Sequence, residues 1–238
     1  MPTRGRSPTR SGSRARSRRR VSRSTSSIVR QPRRSTSSYL WGPNTYLSKY
    51  YDPFPAKGHF VLRYSDQITL NPTVGANAFY HFRANSIYDP DYSSAGHQPY
   101  GHDNLEGIYK AYVVDKAVMT LTPTQFGNTV ATYGARVAEN VVTPTFNTIR
   151  ETKGVSMATT AVGARNPSIS RTYERNKMWP IEKDTTATFG SNPDGPATAL
   201  FSLFMQGPNE TTDAGSVDFI VNITYYVTCF ELRQLTGS

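Results

Sequence analysis

Apolar residues recur at every second position through much of the chain, most clearly over Val217–Cys229. Val217, Phe219, Val221, Ile223, Tyr225, Val227 and Cys229 share one face, while Asp218, Asn222, Thr224 and Thr228 hold the other, interrupted by Ile220 and Tyr226. A period of two is that of a half-buried strand. At about 3.3 Å per residue this one is roughly 43 Å long, enough to run the length of a sheet. His59–Leu70 alternates in the same way, with Phe60, Leu62, Tyr64, Ile68 and Leu70 opposed to Arg63, Ser65, Gln67 and Thr69. Further strands are predicted at Ala76–Ala84, with Tyr80 and Phe82 inward, at Val113–Leu121, ending at Pro123, and at Thr129–Ala138, with Ala131, Tyr133, Ala135 and Val137 in phase. A short strand is predicted near Val155–Thr160. Ser168–Trp179 reads as a strand with a charged polar face, and the near-continuous apolar run Ala199–Met205 as a central strand.

Between these runs the chain is punctuated by Gly, Pro, Asn and Thr. Asn71-Pro72 to Gly75, 139–167, Ile181–Pro196 and Gly207–Gly215 are predicted loops. The longest distinctive loop is Asn85–His102, containing Asn85-Ser-Ile-Tyr-Asp-Pro-Asp-Tyr92 and Gly96-His-Gln-Pro-Tyr-Gly-His102. A loop of that length is usually functional. Asp103, three residues before Glu106, resembles a capping box opening a short helix, and Leu105, Ile108, Tyr109 and Tyr112 recur at helical spacing. The count is all-β: seven or eight strands with one short helix. Eight strands in two sheets make a jelly-roll β-sandwich. An immunoglobulin-like sandwich has similar strands, and the absent Cys…Trp…Cys spacing disfavours only true immunoglobulins.

Charge changes this picture. Of the chain's 27 basic residues, twelve are arginines within the first 34 positions: Arg4, Arg6, Arg10, Arg14, Arg16, Arg18, Arg19, Arg20, Arg23, Arg30, Arg33 and Arg34. No acid or lysine accompanies them, and the remainder holds 15 basic against 17 acidic residues. A net charge of +10 is therefore an arm of +12 on a nearly neutral body. With few apolar residues and strong self-repulsion, residues 1–38 are expected to be a disordered Arg/Ser-rich arm, and 39–238 the folded domain. The guanidinium fork binds phosphate bidentately and keeps its charge, so the arm suits non-specific nucleic-acid binding, and Arg14–Arg20 equally suits nuclear import. The interleaved serines are candidate phosphorylation sites that would cancel the charge.

Chemistry is sparse elsewhere. There is no G-x-S-x-G, phosphate loop, C-x-x-C or compact carboxylate pair, so neither catalysis nor a cofactor is expected. His97, His102, Asp103 and Glu106 are metal-ligating types without metal-site spacing, and read as hydrogen-bonded loop residues; no metal is expected. The lone Cys229 cannot form an internal disulfide, no run is long enough to span a membrane, and no apolar h-region follows the first arginines. Asn209-Glu-Thr and Asn222-Ile-Thr match the glycosylation pattern by chance. Tyr39, Trp41, Tyr46, Tyr50, Tyr51 and Phe54, set among prolines, either seat the chain on the core or stack on bases.

The order of these parts resembles a known family. An Arg-rich start, a strand pair, the Asn85–Tyr92 and Gly96–Gly101 motifs, a short aromatic helix and alternating strands look like the capsid proteins of small circular single-stranded DNA viruses, the circoviruses, cycloviruses and their relatives. The resemblance implies a jelly roll of which sixty copies close a T=1 icosahedral shell, with the arms inside on a single-stranded DNA genome. It also implies nuclear import through host import receptors and attachment to a host-cell surface factor through outer loops, placing the chain in the virion and in the host nucleus during assembly. An Arg/Ser-rich nucleic-acid-binding protein with a β-sandwich effector domain is the alternative. Within the loop, Tyr88, Asp89, Tyr92, His97 and Tyr100 are the candidate subunit contacts.

Overall fold

The computed structural model describes residues 54–125, 130–145, 147–160, 166–179, 184–193 and 197–234, all within the unit Tyr50–Ser238. In order these form β1 (Lys57–Leu70), β2 (Ala78–Arg83), α1 (His102–Glu106), β3 (Tyr109–Gln125), β4 (Thr132–Ala138), α2 (Thr148–Glu151), β5 (Ser156–Thr159), β6 (Ile169–Glu174), α3 (Arg175–Met178), β7 (Ala187–Thr188), β8 (Leu200–Gln206) and β9 (Val217–Leu232).

Setting aside the two-residue β7, the first strand pairs with the last, the second with the next to last, and so inward: β1 with β9, β2 with β8, β3 with β6, β4 with β5, all antiparallel. One long ribbon thus folds across itself, and the fold adds the pairs β3–β9 and β4–β8. Two sheets result, β1-β9-β3-β6 with β7 on β3, and β2-β8-β4-β5. That nested pairing makes the sandwich a jelly roll rather than an immunoglobulin fold, whose sheets join their strands in a different order.

The alternation along β1 and β9 does what its period predicts. Leu62, Tyr64, Ile68 and Leu70 face inward opposite the even-spaced row from Val217 to Cys229. Across the sandwich they meet Phe82, Tyr133, Ala135, Phe201, Leu203 and Met205. Each large apolar side chain buried there contributes about 1.5–3 kcal/mol. β8 is buried at all seven positions. Its inner face meets the core, and the segment that follows β4 is tied down by Asn77 Nδ2 donating to Pro144 O (3.0 Å) and Arg136 Nη2 donating to Val142 O (3.2 Å). Ile149 of that segment is fully buried.

The structure departs from the sequence reading at several places. Ile108, Tyr109 and Tyr112 are not helical: α1 ends at Glu106 and β3 begins at Tyr109. The apparent helical spacing arises because Tyr109 and Tyr112, three apart on one strand and so on opposite faces, are both buried; farther on, a bulge between Val114 and Lys116 shifts the buried set from Tyr112 and Val114 to Ala117, Met119 and Leu121. The Asp115 carboxylate there accepts from Thr228 Oγ1, whose other neighbour is His59 Nδ1 at 2.9 Å. α1 is not opened by a capping box either. Its N-cap is Gly101, at φ 90, with no side-chain cap, and Asp103 sits inside the first turn. β3 passes through Pro123, beyond the last pair of the β6 ladder and beside a second irregularity, where a missing N–H is tolerated. The predicted strand 168–179 stops at Glu174, where α3 begins, braced by Lys177 Nζ on Glu174 Oε2 at 2.8 Å. Two further single-turn helices thus join α1, and the predicted loop 181–196 contains β7. Of residues 39–54, only Phe54 lies within the described residues, and it is exposed.

Gly134 of β4 lies beneath the Phe204 ring and the Ser156 carbonyl, and a Cβ there would overlap both. Gly134→Ala is therefore expected to lower the thermal midpoint, by about 1–3 kcal/mol of stability, measured by denaturant titration. Burial pushes the Tyr112 and Tyr133 hydroxyls up from 10.0 to about 12, and the Cys229 thiol from 9.0 to about 12. Folding holds these groups neutral, so their contribution is intact below their unfolded values and is lost as pH climbs towards 12. A thermal midpoint followed by circular dichroism is expected to fall steadily from pH 9.0 upward through that window.

Candidate assembly loop

The loop 85–102 leaves β2 and is bonded back onto it at once. Arg83 N donates to Pro90 O (2.6 Å), Tyr92 N donates to His81 O (3.1 Å), and Phe82 bridges Asp91. The Arg83 guanidinium supplies the centre: Nη1 donates to the Asp89 carboxylate (2.9 Å), to Asp89 O (2.9 Å) and to Asp91 O (2.8 Å). It also lies 4.9 Å over the Tyr92 ring, a cation–π contact.

Asp91, absent from the sequence-predicted contacts, is the residue that orders this loop. Only 2% exposed, it accepts from Tyr80 OH (2.7 Å), Ser93 N (2.8 Å) and Ser93 Oγ (2.9 Å). Burial, then the bond to Asp91, raises the Tyr80 hydroxyl above its usual range. The sequence signal for it was Asp-x-Ser, an Asx-turn pattern. Upstream, Asn85 donates through Nδ2 to Ala197 O and accepts from Ala199 N (2.9 Å), and Ser86 Oγ donates to Asn192 Oδ1 (2.7 Å). These polar groups are buried but bonded, which is what burial requires.

The predicted contact residues therefore divide. Asp89 is committed to Arg83 and to Ser94 Oγ (2.7 Å), and Tyr88 is half-buried beside the His102 ring. Tyr92 is partly exposed, and His97 stacks on Tyr64 at 4.6 Å while remaining exposed. Tyr100 is 92% exposed, just ahead of the Gly101 turn. The outward set is thus Tyr92, His97 and Tyr100.

His102, Asp103 and Glu106 come together at α1, their ligand-type atoms within 4.8 Å of one another, and His97 is not among them. His102 Nδ1 lies 3.2 Å from Asp103 Oδ1, while Glu106 Oε1 lies 3.4 Å from Arg233 Nη2. The geometry is that of hydrogen-bonded and ion-paired side chains at a five-residue helix. Among the described residues no helix is long and apolar enough to cross a membrane. The arginines from Arg4 to Arg34 lie outside the described residues.

No family model matches this sequence, and no curated protein matches it. Among solved structures, the chain is similar to the decameric BFDV capsid protein, with 14% identity and a TM-score of 0.42 over 74% of this chain and 99% of that one. It is similar also to turnip yellow mosaic virus, with 14% identity and TM-score 0.43 over 79% of this chain and 88% of that one. The semi-empty VLP of the giant freshwater prawn Macrobrachium rosenbergii nodavirus matches at 10% identity and TM-score 0.45, over 81% and 93%. The jelly roll rests on the nested strand pairing.

Asp91→Ala strips three donors of their acceptor and is expected to cost about 1–3 kcal/mol, read as a lower denaturation midpoint. Tyr100→Ser, which breaks no internal contact described here, is expected to leave stability within about 0.5 kcal/mol.

Proposed function

We propose that this chain is the subunit of a viral capsid, closing a small shell around a nucleic acid. The observation that carries the reading is the joining of two unlike parts: a jelly-roll body with almost no net charge and an arm of twelve arginines without a single acid. A neutral sandwich packs against copies of itself without mutual repulsion, and closed symmetry repeats each contact many times. The arm neutralises phosphate without reading sequence, contributing to the log–log salt slope about −0.7 for every phosphate contacted on a single strand. In a shell of sixty copies the arms would bring about 720 positive charges to one enclosed genome, and many weak arms act together where one would bind reversibly.

The finer parts of the proposal rest on the family resemblance. The genome is single-stranded DNA, the arm doubles as the signal read by host import receptors, and exposed loops attach the particle to a host-cell surface factor. The loop 85–102 supplies a subunit contact through Tyr92, His97 and Tyr100, whose side chains the internal bonds leave outward. No catalytic residue, metal or cofactor enters this reading.

Electron microscopy of the purified full chain is expected to reveal uniform closed particles, and a monodisperse monomer at every salt concentration would instead favour a nucleic-acid-binding protein with a sandwich effector domain. Deleting residues 1–34 is expected to abolish nucleic-acid binding in a filter assay while the cooperative thermal transition persists. Tyr100→Ser is expected to reduce particle yield at unchanged subunit stability; full assembly by this variant refutes the contact assigned to the loop.

A further inference from the structure

One row of polar side chains lies across the outer face of the smaller sheet. His81 on β2, Ser202 on β8 and Arg136 on β4 are directly opposite one another in register, so all three project from the same face, neighbours about 5 Å apart. The flanking rows on that face include the rings of Phe79 and Phe204 on one side and Leu200 on the other. Ser202 is 0% and Arg136 6% exposed, and Arg136 Nη2 reaches Val142 O of the segment that follows β4.

Each member of the row has a buried polar atom with no hydrogen-bond partner: His81 Nδ1, Ser202 Oγ and Arg136 Nε. Three orphaned atoms on three adjacent strands are not scattered imperfections, because each leaves its desolvation uncompensated. The charge is a larger problem. Arg136 gives Nη2 to Val142 O, and no carboxylate among the described residues pairs with it. Burial holds its guanidinium below the usual range, and burial and then Arg136 itself hold the His81 imidazole below 6.5. A buried cation without a counter-charge is strongly unfavourable. A water molecule would satisfy the hydrogen bonds but not the charge. An oxyanion satisfies both, since a guanidinium N–H, a hydroxyl and an imidazole N–H are three donors able to converge on it.

We propose that the His81–Ser202–Arg136 row, on the outer face of the smaller sheet, is a binding site for a small free oxyanion of the phosphate or sulfate class. Arg136 supplies the charge, and Ser202 and His81 donate to the oxygens. Ser202 is wholly buried, so the site takes an ion of a few atoms and not the backbone of a nucleic acid. The row adjoins the loop 85–102 at one end, where the His81 ring meets Tyr92 edge-on at 6.2 Å, and the proposal stands whether or not the chain forms a shell.

The test uses the full chain, as wild type, Ser202→Ala and Arg136→Gln, with thermal midpoints followed in rising inorganic phosphate against sodium chloride at equal ionic strength. All three carry the same arm, so any phosphate held there shifts them alike. The wild-type midpoint is expected to rise with phosphate along a saturating curve, as for a ligand that binds only the folded state. Both variants are expected to need at least tenfold more phosphate for the same rise. In chloride, Ser202→Ala should be no less stable than wild type, since it removes an unpartnered hydroxyl, so it decides the matter even if Arg136→Gln fails to fold. An equal rise in wild type and Ser202→Ala, or no rise in wild type, overturns the proposal.

Discussion

The structure depends on β9 being hydrogen-bonded along both edges. From Lys57↔Phe230 to Leu70↔Val217 it is paired with β1, and over nearly the same span it is paired with β3. Its backbone groups are satisfied within the sheet, so side chains alone decide which face goes inward. Because that choice has a period of two, a slip of one residue would turn Phe219, Val221, Ile223 and Tyr225 to the outside and their polar neighbours into the core. The register is therefore held by the whole core at once.

The folded ribbon leaves its connections as the variable parts, and the loop 85–102 shows how a connection becomes a defined surface. Arg83 and Asp91, one at the end of β2 and one within the loop, draw the chain back onto the strand it has just left. With Asp89 consumed inside, the residues left to meet another molecule are aromatic and imidazole side chains on a braced backbone. Aromatic side chains on a rigid support lose little entropy on contact, which suits a surface that meets another molecule. The arm works by the opposite physics: many charges on a chain with almost nothing to bury.

The outer face of the smaller sheet adds a third kind of constraint. β8, central in that sheet, is buried at every position, so its outer face is interior as well as its inner one. The polar row across that face then keeps a cation away from water, and a small anion resolves the conflict between its charge and its burial.

Much of this was legible in the residues. Every predicted strand has a counterpart in the fold, and β1 and β9 lie where alternation put them, because a half-buried strand writes its faces directly into the sequence. Alternation failed where both faces of a strand are buried or the backbone turns: Tyr109 and Tyr112, buried on opposite faces of β3, looked helical, and the turn at Glu174 ended a strand that composition would have continued. The loop 85–102 was recognisable as distinctive, yet its roles were not, since Asp89 and Asp91 differ only in what the fold sets beside them. By itself the sequence determined an all-β body of low net charge on an arginine arm, properties that depend on composition and period. The tertiary structure alone decided which strands became neighbours, which acids turned inward, and that His81, Ser202 and Arg136, between 55 and 121 positions apart along the chain, stand in one row. Contacts between distant residues are set by register across strands, and register belongs to the packed core as a whole.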